Sequence, residues 1–146
     1  MLPITHTTQE VQTLVRELNH HPRIHGIIVQ LPLPQSLDAD AIIATIHPHK
    51  DADGFHPQTV ASFLEGTSVI PPVFPRAIRA LLESARQPLQ DKRALIFANS
   101  KLFARVMTNT LASIGVQAED SLSLGDKQAR RRLPEFDIVI CAKGDP

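Results

Sequence analysis

Apolar residues recur at helical spacing near the start of the chain. Val11, Leu14, Val15 and Leu18 follow Thr7 and Thr8, which can cap a helix with Gln9 and Glu10 in its first turn. Asn19-His20-His21-Pro22 ends that helix, because the residue before a proline avoids the α region. The pattern then changes. Gly26-Ile-Ile-Val-Gln-Leu31 is a mostly apolar run rich in β-branched residues, which predicts a buried parallel strand ended by Pro32 and Pro34. Ser36 or Asp38 can cap a short helix carrying Ile42, Ile43 and Ile46. Residues 48–57 read as a loop and residues 60–64 as a helical segment.

Past Gly66, residues 69–75 predict an extended crossing segment. Residues 77–85 predict a helix with Ile78, Leu81 and Leu82 on one face. Arg93-Ala-Leu-Ile-Phe97 reads as a second buried strand, followed by a helix from about Lys101 to Ile114 with Gly115 as its stop. Residues 116–124 predict a weak strand, and residues 128–133 a short basic helix or loop. Phe136-Asp-Ile-Val-Ile-Cys141 predicts a third strand, with Cys141 as a small core residue. Strands alternating with helices imply an α/β fold with parallel sheets.

Composition narrows the class. The chain has 146 residues, 42% of them apolar, and its 15 basic and 15 acidic side chains cancel. High apolar content without net charge excludes a fully disordered chain, and zero net charge disfavours a nucleic-acid-coating protein. The apolar runs fall far short of the roughly 20 residues needed to span a bilayer, and the N-terminus lacks a signal-peptide pattern. The single cysteine fits a reducing, cytoplasmic setting. The charges are unevenly spread. Residues 1–65 carry three basic and seven acidic side chains, residues 66–146 twelve and eight, and the seven histidines lie between His6 and His56. Two lobes follow, residues 1–66 and 67–146.

Two stretches carry chemistry together: Gly26-Ile-Ile-Val-Gln-Leu-Pro-Leu-Pro34 and Lys50-Asp-Ala-Asp-Gly-Phe-His-Pro57. Gln30 comes at the carboxyl end of the first, where open α/β sheets place their ligand crevice. Its neutral amide can both donate and accept. Asp53 sits in a glycine-containing loop, and a carboxylate there can grip an amino-pyrimidine edge with two parallel hydrogen bonds. Other groupings are weaker. His21 and His25 straddle Pro22 and do not make a metal pair. Asp51-Ala-Asp53-Gly54 lacks the later ligands of a calcium loop.

The two motifs, their order and their separation resemble the bifunctional methylenetetrahydrofolate dehydrogenase/methenyltetrahydrofolate cyclohydrolase family, whose hallmarks read GIxVQLPLP and KDVDGFHP. Only Ala52 departs. The resemblance implies a partial N-terminal α/β catalytic lobe that binds folate, followed by a partial Rossmann-like NAD(P)-binding lobe. It implies NADP-dependent (or NAD-dependent) oxidation of 5,10-methylenetetrahydrofolate and hydrolysis of 5,10-methenyltetrahydrofolate to 10-formyltetrahydrofolate. Gln30 and Asp53 would be catalytic, and Gln30, Leu31, Pro32 and Asp53 would bind the substrate. Ala98, Asn99, Ser100 and Arg105 would line the cofactor site. It also implies a possible homodimer, a tetrahydrofolate derivative as partner, and no metal, nucleic acid or membrane.

The departures matter as much. The family's catalytic lysine lies in a Tyr-x-x-x-Lys helix before the first motif, whereas this chain has no tyrosine and no lysine before Lys50. The family's phosphate turn carries two glycines, replaced here within Ala98-Asn-Ser-Lys-Leu-Phe-Ala104. Arg130, Arg131 and Arg132 read as a solvated basic face rather than a 2′-phosphate site. The expectation is a chain corresponding to the interior of a family member, impaired in catalysis. The alternatives are a non-catalytic folate-binding or interaction module and, less favoured without a G-x-G-x-x-G, a generic dinucleotide oxidoreductase.

Overall fold

The structure, a computed structural model, describes residues 6–67, 72–98, 100–123 and 125–142. It is a mixture of helices and parallel sheet, the expected α/β class, and divides into two compact units, Met1–Val73 and Phe74–Pro146. Among the described residues no helix is long and apolar enough to cross a membrane.

In the first unit, α1 (Thr8–His20) opens with a capping box: the Thr7 hydroxyl accepts from the Glu10 amide while the Glu10 carboxylate accepts from the Thr7 amide. Two otherwise orphaned donors are thereby satisfied. Asp38, one of the two expected caps, starts α2 (Ala39–Ile43) by accepting from the Ala41 amide at 2.9 Å. Residues 48–50 form a 3₁₀ turn within the expected loop, and α3 spans Pro57–Leu64. The core joins Val15 of α1, Ile27, and Ile42 and Ile46 of the α2 region, with Val11, Leu18, Ile24, Val29, Leu33 and Leu37 packed around them.

The expected strand at 26–31 is corrected. Ile27 makes one isolated parallel bridge, to Asp51, and the run forms no ladder among the described residues. Ile27 is buried, but Ile28 and Leu31 are 59% and 45% exposed. A strand buried on both faces needs covering layers on both sides; here, among the described residues, the 50–52 segment is the one stretch of backbone bridged to it.

Helix α4 (Val73–Ser84) starts on the last residue of the first unit and runs on into the second, which also holds β1 (Arg93–Phe97), α5 (Lys101–Ala112), β2 (Gln117–Ser121), α6 (Lys127–Arg131) and β3 (Ile138–Cys141). The expected extended segment at 69–75 is also corrected. Residues 69–71 lie outside the described residues, but Val73, Phe74 and Pro75 already form the first turn of α4. Proline is tolerated there because first-turn amides need no intrahelical acceptor.

The three strands are parallel in the order β2-β1-β3. The chain moves from β1 to β2 and then back across β1 to β3, so right-handed crossovers put α5 and α6 on opposite faces. β1 is accordingly buried on both sides. Leu95 and Phe97 pack with Ala129, Leu133 and Phe136, while Ala94 and Ile96, also buried, alternate with them and point to the other face. Gly115, with φ 78°, ends the α5 region as expected.

Cys141 is exposed rather than a core residue, because β3 is an edge strand whose buried residue is Ile140. Arg132 also departs from its expected role on a solvated face. Its guanidinium grips Glu119 at 2.8 and 3.0 Å and Glu135 at 3.2 Å. Arg93 reaches Glu119 at 2.9 Å, and both arginines lie over the Phe136 ring. A single carboxylate thus bridges β1 and β2 to the residues just after α6.

Candidate functional site

The end of α1 leaves main-chain carbonyls without helical partners. The Lys50 ammonium fills them, donating to the carbonyls of Leu18 (3.1 Å), Asn19 (2.6 Å) and His21 (3.0 Å). Asn19 adds a second tie, donating to the Thr45 carbonyl at 2.8 Å and accepting from the His47 amide at 2.9 Å. The backbone of Lys50 continues the construction. Its carbonyl accepts from the Ile27 amide at 2.7 Å, and the Ala52 amide donates to the Ile27 carbonyl at 3.3 Å. This is the bridge that lays the two sequence motifs side by side.

The following loop is closed from inside. Asp51, 4% exposed, accepts from the Gly54 amide at 3.0 Å and the His56 amide at 2.8 Å. Gly54 has φ 79°, a left-handed turn that favours glycine. His56 then caps α3: its Nδ1 accepts from the Gln58 amide at 3.1 Å, and its Nε2 lies 3.2 Å from the Ala44 carbonyl. One tautomer, with hydrogen on Nε2, satisfies both contacts. Most of the second motif is therefore scaffold.

Asp53 stands apart from it. Its main-chain carbonyl accepts from the Val73 amide at 3.0 Å, while its half-buried carboxylate has no hydrogen-bond or ion-pair partner among the described residues. Burial, and then the nearby charge of Asp51, push its pKa above the ordinary 3.8. Gln30 is exposed, and its Nε2 donates to the adjacent Leu31 carbonyl at 3.0 Å. Leu31 is joined to Pro32 by a cis peptide bond and is itself exposed. The bridge brings the segments bearing Gln30, Leu31, Pro32 and Asp53 together. Their polar tips form an amide that donates and accepts and a carboxylate that only accepts.

On the second unit, Ala98, Ser100 and Arg105 follow β1, and Asn99 lies outside the described residues. The switch point of the strand order lies between β1 and β3, whose carboxyl ends flank the place where such sheets bind ligands. Two of the amide donors there are already spent. The fully buried Ala98 gives its amide to the Ser121 carbonyl at 2.9 Å, and the Ser100 hydroxyl accepts from the Phe103 amide at 3.1 Å as the cap of α5. Arg105 is a turn further on, lining a shallow cleft with Lys101, Thr108 and Asp120. Without glycine, this turn does not fit a pyrophosphate by backbone approach. Among the described residues, no group of three or more His, Cys, Asp or Glu side chains is placed to hold a metal.

Lys50, Asn19 and Asp51 are the supporting residues that the motif reading passed over. The only sequence signal for them was membership of, or closeness to, the two motifs: the partners of Lys50 and Asn19 lie 26 to 32 positions away, and those of Asp51, though near, are main-chain amides that no motif letter marks.

Residues 1–53 match the family model described as tetrahydrofolate dehydrogenase/cyclohydrolase, catalytic domain. A relative called Bifunctional protein FolD, from Anaeromyxobacter dehalogenans, is 40% identical over 148 residues, covering 98% of this chain and 51% of that protein. The crystal structure of the bifunctional enzyme FolD, a methylenetetrahydrofolate dehydrogenase/cyclohydrolase from Campylobacter jejuni, matches with a TM-score of 0.82 at 32% identity. It covers 98% of this chain and 51% of that one. The Trypanosoma brucei dehydrogenase-cyclohydrolase, complexed with NADP cofactor and inhibitor, matches with a TM-score of 0.81 at 28% identity over 99% of this chain and 50% of that one. The chain spans about half the length of the curated relatives it matches. A catalytic-domain match over residues 1–53, two motifs that depart only at Ala52, and likeness along nearly its whole length make this chain similar to about half of a tetrahydrofolate dehydrogenase/cyclohydrolase.

Proposed function

We propose that the first unit binds a reduced folate and that the chain acts in tetrahydrofolate one-carbon chemistry. The activity proposed is that of its relatives: oxidation of 5,10-methylenetetrahydrofolate with NADP (or NAD) and hydrolysis of the methenyl product to 10-formyltetrahydrofolate. One observation carries this reading above the others. The bridge between Ile27 and Asp51 sets the two motifs side by side, while the Asp53 carboxylate keeps both oxygens without protein partners among the described residues. A half-buried carboxylate raised in pKa by burial and by a like-charged neighbour gains most from a ligand that donates two hydrogen bonds, as an amino-pyrimidine edge does.

In this proposal Asp53 holds the pterin edge, and Leu31 and Pro32 supply apolar contact. Gln30 donates to or accepts from the reacting nitrogen or attacking water without adding charge. Residues 1–66 form the folate-binding catalytic domain and residues 67–146 the nucleotide domain, in a cytoplasmic protein that pairs with a second copy. The nucleotide, when bound, supplies the hydride acceptor. Ala98, Asn99, Ser100 and Arg105 would lie along it, and Arg105 lines the neighbouring cleft.

A second reading is favoured by one specific observation. The turn after β1 has lost its glycines and already spends the Ala98 and Phe103 amides inside the protein. A chain that binds folate without turning it over, as a binding or interaction module, fits that turn. Calorimetric titration with 5-formyltetrahydrofolate and, separately, with NADP tests both. Folate binding with weak or absent NADP binding favours the module. Binding of both favours the enzyme. Absence of folate binding removes the proposal.

A further inference from the structure

Lys50 occupies an unusual junction. Its ammonium donates to three carbonyls at the end of α1, its own carbonyl receives the Ile27 amide of the first motif, and the next residue, Asp51, holds the Gly54 and His56 amides of the second. Three separate pieces of chain therefore meet at one residue. The tetrahedral ammonium suits three convergent acceptors, and its charge sits at the negative end of a helix dipole. The neighbouring ties leave it little redundancy at this point: Asn19 binds Thr45 and His47, upstream of the bridge.

We infer that Lys50 is a positioning residue for the folate site: by anchoring the end of α1 it sets the register between residues 26–31 and 51–57, and so the placement of Gln30 against Asp53. The inference rests on the folate reading for its ligand but not for its geometry. Lys50 acts through the loop that presents Asp53. Removing its side chain therefore weakens binding only while Asp53 is there to be placed.

The test uses the whole chain, with 5-formyltetrahydrofolate as the calorimetric probe and amide hydrogen exchange on each variant. Lys50→Met weakens binding about tenfold, since hydrogen bonds from a charged donor are lost. The double variant Lys50→Met/Asp53→Asn binds no more weakly than Asp53→Asn alone. In Lys50→Met the amides of Ile27, Ala52, Gly54 and His56 exchange about tenfold faster or more, while those of β1 keep their native rates. Additive losses in the double variant overturn the assignment, as does unchanged exchange at those four amides in folded Lys50→Met. If the native chain takes up no probe, the folate reading falls and the exchange result alone decides for or against Lys50. If Lys50→Met does not fold, Lys50→Arg is measured in the same way, because a planar fork keeps the charge but cannot meet three convergent carbonyls.

Discussion

Asp51 spends both carboxylate oxygens on main-chain amides, whereas Asp53, two positions later, spends neither on the described protein. Opposite outcomes follow from changing them. Asp51→Ala strips a buried acceptor from two amides and should cost about 3 kcal/mol of stability, read from urea unfolding. Asp53→Asn should leave the urea midpoint at pH 7 unchanged or slightly higher. A carboxylate whose folded pKa is raised adds stability below its ordinary 3.8 and loses it as pH rises through the folded value. At neutral pH that benefit is gone and the repulsion with Asp51 remains. The same variant should bind 5-formyltetrahydrofolate at least about tenfold more weakly, because an amide oxygen cannot replace a charged acceptor at both positions. Unchanged affinity in calorimetry would remove Asp53 from the site. The sequence singled out Gln30 and Asp53 because motif letters mark them. Those letters carry no physical reason for choosing Asp53 over Asp51, since only the folded loop shows which carboxylate turns inward.

Among the elements, α1 was legible down to its cap. Thr7 and Glu10 are three residues apart, and a capping box needs nothing beyond that spacing. The strand expected at 26–31 was not, because β-branched residues favour extended backbone while a ladder requires partners that the local pattern does not contain. β2 shows the converse. Gln-Ala-Glu-Asp-Ser is a poor strand by composition, yet it pairs with β1 along its length. Glu119 helps to hold it, and hydrogen bonds from Arg132 and then Arg93 bring its pKa from 4.5 down to about 2. Asp126 and Asp137 are lowered as well, chiefly by backbone amides. Depressed carboxylates contribute stability above their ordinary pKa and lose it as pH falls through the folded one. The urea midpoint should therefore fall as pH drops from about 4.5 toward 2, and Glu119→Gln should flatten that fall. An acid limb as steep in Glu119→Gln as in the native chain would show that this network contributes little there.

At the scale of the molecule, two compact units carry two different degrees of agreement with the family. The first carries both motifs, and the second keeps the parallel sheet while its turn after β1 has alanine where the family's has glycine. With Ala98 and Ala104 where the family's turn carries glycine, NADP should bind this chain more weakly than it binds a relative. Calorimetric titration of both checks this, and equal affinity would show that side chains replace backbone amides as the phosphate's donors.

What the sequence determined by itself was local or carried by motif: helix α1 and its cap, the buried strand β1, the alternation that makes an α/β chain, and the family to which the two motifs pointed. Those properties depend on neighbours within a few residues, or on letters kept in order. What tertiary structure decided was which polar groups are spent and which are left over. Lys50 is bound to carbonyls near position 20, Asp51 is folded inward, Arg132 is drawn into a carboxylate network, and Asp53 is left without a described partner. A side chain's availability depends on who reaches it through space, and residues about 30 apart in the chain meet only once the backbone has closed the distance.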